Sequence, residues 1–582
     1  MVTHAEIGEQ RDWLTPARPI AGKTSSWPWV LLLLISFLLL YGIVSPAEGG
    51  DTLRYAADAV EHAHGHAAQF WEFGHLLWRP WGYLGLKLLG PWFIQHYGDS
   101  QIQAVARFFV GTSFVCSLLT VFLIWGIARR FVGLPLATGI AIAFCGANGL
   151  LGFITLGSAY IPALCFECLS LWLLTKPVPA GVAGFSYALC VLLWFPFAFV
   201  GLGMLAAVLL WRPSKVSLPL SGVVKSNIRR AIVFVLVAIV VSAAGMAAGA
   251  AFHGAHSIDG IKQWILDADN GWSQHLNIVR AGTGIPRSLY ELTNGSILLK
   301  RWFFHDPYNP VHLPQLAGGL LVKLMLFYTG MTALVLALLK RTGQFMLITL
   351  LSAAVPVLFF AVFIFEPGST SRYVPLLPFL YAAFAIALRI SVRRLWLFGT
   401  MAAVLVSIVL FNIASLSDNS IQTAQRIREQ KRDLEAMMAR PADVFVPTLR
   451  DPLYYVPLTH PLDHSLASEK YVVRDVIEVA SIRLAHWRAE FAARTLRNWK
   501  NGREVWISQK LLASRPAAHE TWVEGDDPRI HWKELPEYFR QFATDREEGG
   551  ADGFRRLAPN PTNQMLLQQI IANDTEFKRK NL

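Results

Sequence analysis

The sequence predicts an α-helical polytopic membrane protein of about eleven transmembrane helices, followed by a C-terminal soluble α/β domain. Three observations predict it. Of 582 residues, 54% are hydrophobic and only 16% are charged, with a mean hydropathy of +0.39; soluble chains carry about 25% charged residues. The deficit is local, because residues 28–415 are mostly long apolar runs and the remainder is ordinary. Finally, Arg129, Arg130, Lys176, Arg212, Lys215, Lys225, Arg229, Arg230, Lys340, Arg341, Arg389, Arg393 and Arg394 all fall at short junctions between apolar runs. That is the signature of cytoplasmic loops.

Each element follows in order. Residues 1–27 are polar, with Arg11, Arg18 and Lys23, and read as a cytoplasmic tail before an uncleaved first span rather than a signal peptide. A spanning helix needs about 20 apolar residues, or about 17 when short. Spans are therefore expected near 28–45, 103–128, 134–152, 160–175, 181–195, 197–211, 231–252, 317–339, 344–365, 373–388 and 395–415. The pair flanking Trp194-Phe195-Pro196 could also be one kinked helix. With the N-terminus inside, every basic junction becomes cytoplasmic. The external side then receives loops 46–102, 153–159, 253–316 and 366–372, and the tail 416–582. This arrangement suits a bacterial inner membrane with a periplasmic tail.

The tail, of about 165 residues, is long enough to bury its own core. Gln422 to Met438 reads as a polar helix, Asp443-Val444-Phe445-Val446 as a buried strand, Val472 to Trp499 as a helix, and Val505-Trp506-Ile507-Ser508 as a second strand. The net charge of +12 does not indicate nucleic acid, because the basic residues sit at membrane junctions rather than on one soluble surface. All five cysteines, Cys116, Cys145, Cys165, Cys168 and Cys190, lie in apolar spans. Cys165-Phe166-Glu167-Cys168 has redox spacing, but a thiol in a membrane helix behaves as a small apolar group.

Candidate chemistry gathers outside the spans. Asp51 stands just beyond the first span, where a carboxylate could act as a general base or open a helix. Asp58, His62 and His66 fall at i, i+4 and i+8 on one helix face. They form a candidate divalent-metal set without a fixed fourth ligand, a solvated polar face being the other reading. No other cofactor is called for. His75 and Arg79 lie among aromatics in His75-Leu76-Leu77-Trp78-Arg79-Pro80-Trp81. Arg79 there could bind a phosphate or anchor the chain at the interface. In the 253–316 loop, Lys300-Arg301-Trp302 is basic and aromatic and suits an anionic headgroup or an interfacial helix; Asp267 and Asp269 are possible second acids. Glu366 and Arg372, in the loop Glu366-Pro367-Gly368-Ser369-Thr370-Ser371-Arg372-Tyr373, could line a cavity or pair with one another.

These residues, in this order and on this side, resemble the GT-C membrane glycosyltransferases. The resemblance is to the branch of protein O-mannosyltransferases and lipid A aminoarabinose transferases. Asp51-Thr52-Leu53-Arg54-Tyr55-Ala56 is similar to the family's Asp-Glu-x-Arg-Tyr-Ala after the first span. Arg372-Tyr373-Val374-Pro375-Leu376-Leu377-Pro378 looks like its late Arg-Tyr motif followed by Pro and Leu. Two positions depart: Thr52 replaces a frequent second acid, and Trp78-Arg79-Pro80-Trp81 stands where many members have His-Pro-Pro-Leu.

The resemblance implies transfer of a sugar from a polyprenyl-phosphate donor to an acceptor hydroxyl on a glycan, lipid or protein, at the external membrane face and with inversion. It makes Asp51 the catalytic base. Arg54, Tyr55, His75, Arg79, Lys300, Arg301, Glu366, Arg372 and Tyr373 become substrate- and phosphate-binding candidates, with membrane lipid as a partner. Two other classes compete. A transporter predicts ionisable residues within the spans and paired halves; only Glu167, Arg107 and Lys323 fit, and no sequence symmetry is evident. A non-catalytic envelope-assembly protein predicts that Asp51 and Arg372 lie far apart.

Overall fold

The structure is a computed structural model that describes residues 25–44, 51–65, 70–97, 100–211, 220–267, 278–292, 298–299, 301–303, 305, 310–340, 343–364, 368–438, 442–446, 475–478, 486–512, 534–545 and 554–577. The chain divides into two compact units. The first comprises Met1–Thr293 and Leu321–Ile421, the second Asn294–Leu320 and Gln422–Leu582.

Six helices are long and apolar enough to cross a membrane: Gln101–Ala128, Asn227–His253, Leu313–Leu338, Gln344–Ile364, Thr370–Ser391 and Leu395–Asp418. Five more apolar helices of 10–17 residues are Trp27–Ile43, Leu134–Cys145, Tyr160–Leu174, Ala180–Leu193 and Phe195–Leu210. Every apolar segment expected from the sequence holds one of these helices. The chain is thus an α-helical integral membrane protein.

Burial ranks the helices within the first unit. The most apolar window of Thr370–Ser391 is 89% buried, against 17% for Asn227–His253. The first is the central helix. The second turns Leu236, Ile239 and Val240 outward, as a lipid-facing helix should. One end of the bundle collects basic junctions: Arg130 donates to the Thr175 carbonyl at 2.7 Å and Arg389 to the Phe131 carbonyl at 3.2 Å. These bonds satisfy backbone carbonyls near helix ends with cations, which also complement the helix dipole.

The described residues of segment 46–102 are largely helical. Helix Asp51–Ala63 buries Leu53, Ala56, Ala57 and Val60 on one face, and Trp78–Tyr97 follows a short turn at Phe73–His75. That turn is pinned from below by an apolar cluster of Phe73, Leu76, Leu192, Ala250, Ala255 and Trp264. The Trp264 indole donates to the Trp71 carbonyl at 2.6 Å. The chain breaks at Trp194: the preceding helix ends at Leu193, Trp194 is extended (φ −152°, ψ 108°), and Phe195–Val200 is 3-10. Pro196 lacks the amide hydrogen an uninterrupted helix needs. The Leu192 carbonyl instead accepts from the Leu77 amide at 3.2 Å.

The second unit contains a five-stranded sheet of β1 (Ala442–Val446), β2 (Asp475–Glu478), β3 (Glu504–Ser508), β4 (Thr544–Asp545) and β5 (Phe554–Leu557), in the order β2-β1-β3-β5-β4. β1 is parallel to β2 and β3, while β5 is antiparallel to β3 and β4. Phe445, Phe491, Val505, Ile507, Phe539, Leu557 and Leu567 form its core. Two of the expected elements, β1 and β3, stand where the sequence puts them. Val472 to Trp499 does not form one helix. It holds strand β2 and then helix Trp487–Lys500, the β-branched Val476 and Ile477 of β2 favouring a strand.

Candidate active site

The helix start at Asp51, the turn at Phe73–His75 and the start of Trp78–Tyr97 bring together a polar cluster. Arg79 is at its centre and is 0% exposed. Its Nε donates to Asp58 Oδ2 at 2.6 Å, and its Nη1 donates to Glu72 Oε2. Its guanidinium also lies 4.7 Å from the Tyr55 ring centroid. Arg54 Nη2 stands 4.0 Å from Glu72 Oε1. His75 bridges the set, with Nδ1 3.3 Å from Glu72 Oε2 and Nε2 3.2 Å from the Tyr55 hydroxyl.

The charges in this cluster compensate one another. Burial disfavours ionisation of Glu72, but the hydrogen bond from His75 and the charge of Arg79 overcome it and hold the carboxyl well below the usual carboxylate range. Burial likewise opposes the charge on Arg79, and Glu72 and Asp58 reverse that opposition. Burial lifts Asp58 above its ordinary value, with Arg79 pulling it back. Burial also pushes the Tyr55 hydroxyl well up, helped by Tyr160, Asp51 and Glu72, so Tyr55 remains a neutral hydroxyl.

Asp51 borders this cluster. The Tyr160 hydroxyl donates to Asp51 Oδ2 at 3.4 Å. The Tyr160 ring packs on Trp194 with centroids 4.4 Å apart, and the Arg372 guanidinium lies 5.4 Å from the Trp194 ring. Both Asp51 and Arg372 act electrostatically on the Tyr160 hydroxyl. A carboxylate, a phenol, an indole and a guanidinium thus form one continuous row. Each belongs to a helix end: Asp51 and Tyr160 open their helices, Trp194 follows Leu193, and Arg372 lies in the 3-10 turn Thr370–Leu376 that leads into the central helix.

The remaining sequence candidates are distributed as follows. Tyr373 is 0% exposed and packs beneath Gly284, where a Cβ would collide with the ring; it is an interior residue. Arg301 is buried in the second unit. Lys300, Glu366, His66 and Asp269 lie outside the described residues, as does the side chain of Asp267. His62 stacks on Phe70 with centroids 3.6 Å apart, and burial lowers its basicity. Among the described residues no group of three or more His, Cys, Asp or Glu side chains could hold a metal ion. The sequence puts Arg79 at the membrane interface in either of its readings, and the structure buries it instead. The reason is the pair of carboxylates, Asp58 and Glu72, that folds around it. Tyr160 and Trp194 were not among the sequence candidates, and a single aromatic at the edge of an apolar run carries no distinguishing signal.

No family model matches the sequence, nor does any curated protein. Among solved structures, the chain is similar to ArnT from Cupriavidus metallidurans, in its apo state and bound to undecaprenyl phosphate. Each is matched at 14% identity and a TM-score of 0.46 over 83% of this chain, covering 93% and 92% of the ArnT chain respectively. It is also similar to the apo Archaeoglobus fulgidus oligosaccharyltransferase, at 13% identity and a TM-score of 0.46, over 90% of this chain and 73% of that one.

Proposed function

We propose that this protein is a membrane glycosyltransferase, which moves a sugar from a polyprenyl-phosphate donor to an acceptor hydroxyl on the external face of a bacterial inner membrane. The observation that carries the reading is the row Asp51–Tyr160–Trp194–Arg372 at the ends of apolar helices. It sets a carboxylate and a guanidinium on either side of an aromatic step, next to bilayer-spanning segments. Those helix ends are the external ones in the topology expected from the basic junctions.

Asp51 takes the proton from the acceptor hydroxyl, whose oxygen attacks the anomeric carbon from the face opposite the phosphate. The bond between that carbon and the phosphate oxygen breaks, its electron pair stays with the phosphate, and the configuration inverts. Phosphate is a competent leaving group, so the site needs positive charge where charge develops rather than an acid. Arg372 supplies it, with Arg54 behind. Arg79, committed to Asp58 and Glu72, organises the loop rather than touching substrate. His75 and Tyr55 bridge that organising cluster to Asp51.

The test is a transfer assay with radiolabelled polyprenyl-phosphate sugars. Asp51→Asn should abolish transfer while the protein still inserts and folds. Wild-type turnover in that variant would remove the proposal.

A further inference from the structure

The short connection before Tyr160 is held with unusual completeness. The Gly157 amide donates to Thr52 Oγ1 at 2.9 Å, and the Gly157 carbonyl accepts from the Trp78 indole at 3.0 Å. Both polar atoms of one residue's backbone are therefore claimed by side chains from the Asp51 helix and from the helix that begins with Trp78. Thr52 is 1% exposed and Trp78 is fully buried. Trp78 also stacks on Phe109, with centroids 4.5 Å apart. The position admits only glycine, since a Cβ there would lie 2.6 Å from Thr52 Cγ2 and 2.6 Å from Phe109 Cβ. Three residues later, Tyr160 reaches Asp51. Its ring is braced by Trp194 on one side and by Phe153, edge-on at 5.2 Å, on another.

From this geometry we infer that Tyr160 is a positioning residue for Asp51, and that Thr52 sets the register of the connection that delivers it. The inference rests on the proposed role of Asp51 as base. Among the described residues Tyr160 engages Oδ2 and not Oδ1, which favours one carboxylate rotamer and leaves Oδ1 to meet the acceptor proton. A carboxylate at the first position of a helix would otherwise sample several rotamers, and only one would face the acceptor. Thr52 also acquires a physical role: the hydroxyl beside Asp51 caps a backbone amide across the site, which an acidic side chain of greater length would not do at this spacing. Buried and doubly bonded, Gly157 cannot shift without leaving its amide and carbonyl unpaired.

Steady-state kinetics on the full-length protein test this. Tyr160→Phe keeps the ring against Trp194 and removes only the hydroxyl. It should lower kcat about tenfold, the scale of one hydrogen bond to a charged group, with KM for donor and acceptor unchanged. Thr52→Val should lower kcat in the same way, and Thr52→Ser should restore it. Wild-type kcat in Tyr160→Phe, or a raised KM with unchanged kcat, would overturn the inference, the second result marking Tyr160 as a substrate contact. So would failure of Thr52→Ser to recover kcat in a folded protein. Asp51→Asn, measured alongside, separates the two levels. If it remains active, the base assignment itself fails; if it is inactive while Tyr160→Phe is normal, only the positioning role falls.

Discussion

Two arginines of the same unit stand in opposite environments. Arg79 is sealed from solvent and shared by two carboxylates. Arg372 is half-buried at the entrance to the central helix and lies over an indole. A guanidinium with its donors directed at Asp58 and Glu72 has little capacity left for a ligand, and removing it would strand two partly buried carboxylates. The Arg372 guanidinium instead faces the Trp194 ring, which packs on Tyr160 beside Asp51. The difference teaches that a fully buried cation is the one least available to a ligand. Burial must be compensated within the protein, and compensation occupies the donors.

The largest way to break this contrast is to remove the buried cation. Arg79→Met preserves much of the volume and leaves Asp58 and Glu72 uncompensated. It should destabilise the protein by about 3–5 kcal/mol, the usual scale for breaking a buried ion pair from one side. Thermal unfolding in detergent reads this directly as a lower midpoint. A midpoint equal to wild type would show that Arg79 is not the organising charge, and the contrast with Arg372 would collapse. Arg79→Lys should fall between, because an ammonium lacks the fork that spans two carboxylates.

Removing the other arginine should give the reverse pattern. Arg372→Ala is expected to reduce turnover by about a hundredfold to a thousandfold, the range for losing one donor to a developing oxyanion. The melting midpoint should stay near wild type. A large fall in midpoint with kinetics otherwise intact would make Arg372 architectural, like Arg79.

The sequence made much of this legible, for identifiable reasons. Long apolar runs and arginine junctions are redundant signals spread over many residues, so the helical segments emerge clearly, apart from the pair around Trp194 that could also have been one kinked helix. Asp51 and Arg372 also stand out, as polar residues at the edges of apolar runs, while Arg54 and Tyr55 are singled out by the motif resemblance and His75 by its aromatic neighbours. What stayed hidden was pairing. Glu72 is visible as one acid among several, but that it closes on Arg79, Arg54 and His75 depends on a turn whose shape the string does not encode. Tyr160 lies 109 residues from Asp51, and nothing local links them. Strand β2 was lost for a different reason: a four-residue strand beside a helix offers too few residues for its period to be read.

The second unit offers the smallest effect and a pH-dependent one. His486, which precedes helix Trp487–Lys500, has Nδ1 2.9 Å from Asp574 Oδ2, just past the end of helix Pro561–Asn573. Asp574 also accepts from the Phe577 amide at 2.9 Å. Partial burial works against its charge, but the Phe577 amide and His486 outweigh that and lower the carboxyl below its ordinary value. A carboxyl depressed in the folded state stabilises above its unfolded pKa, near 4, and loses that contribution as pH falls through the folded value. Asp574→Asn should therefore speed hydrogen exchange in helix Trp487–Lys500 slightly at pH 7, with the difference from wild type shrinking below pH 4. Because the pair is partly exposed, the effect should be under about 1 kcal/mol. It should also leave transfer unchanged, in contrast to any change along the row from Asp51 to Arg372. A loss of turnover comparable to that of Arg372→Ala would mean that this ion pair serves the chemistry, and the division between compensating charges and substrate-facing ones would need to be redrawn.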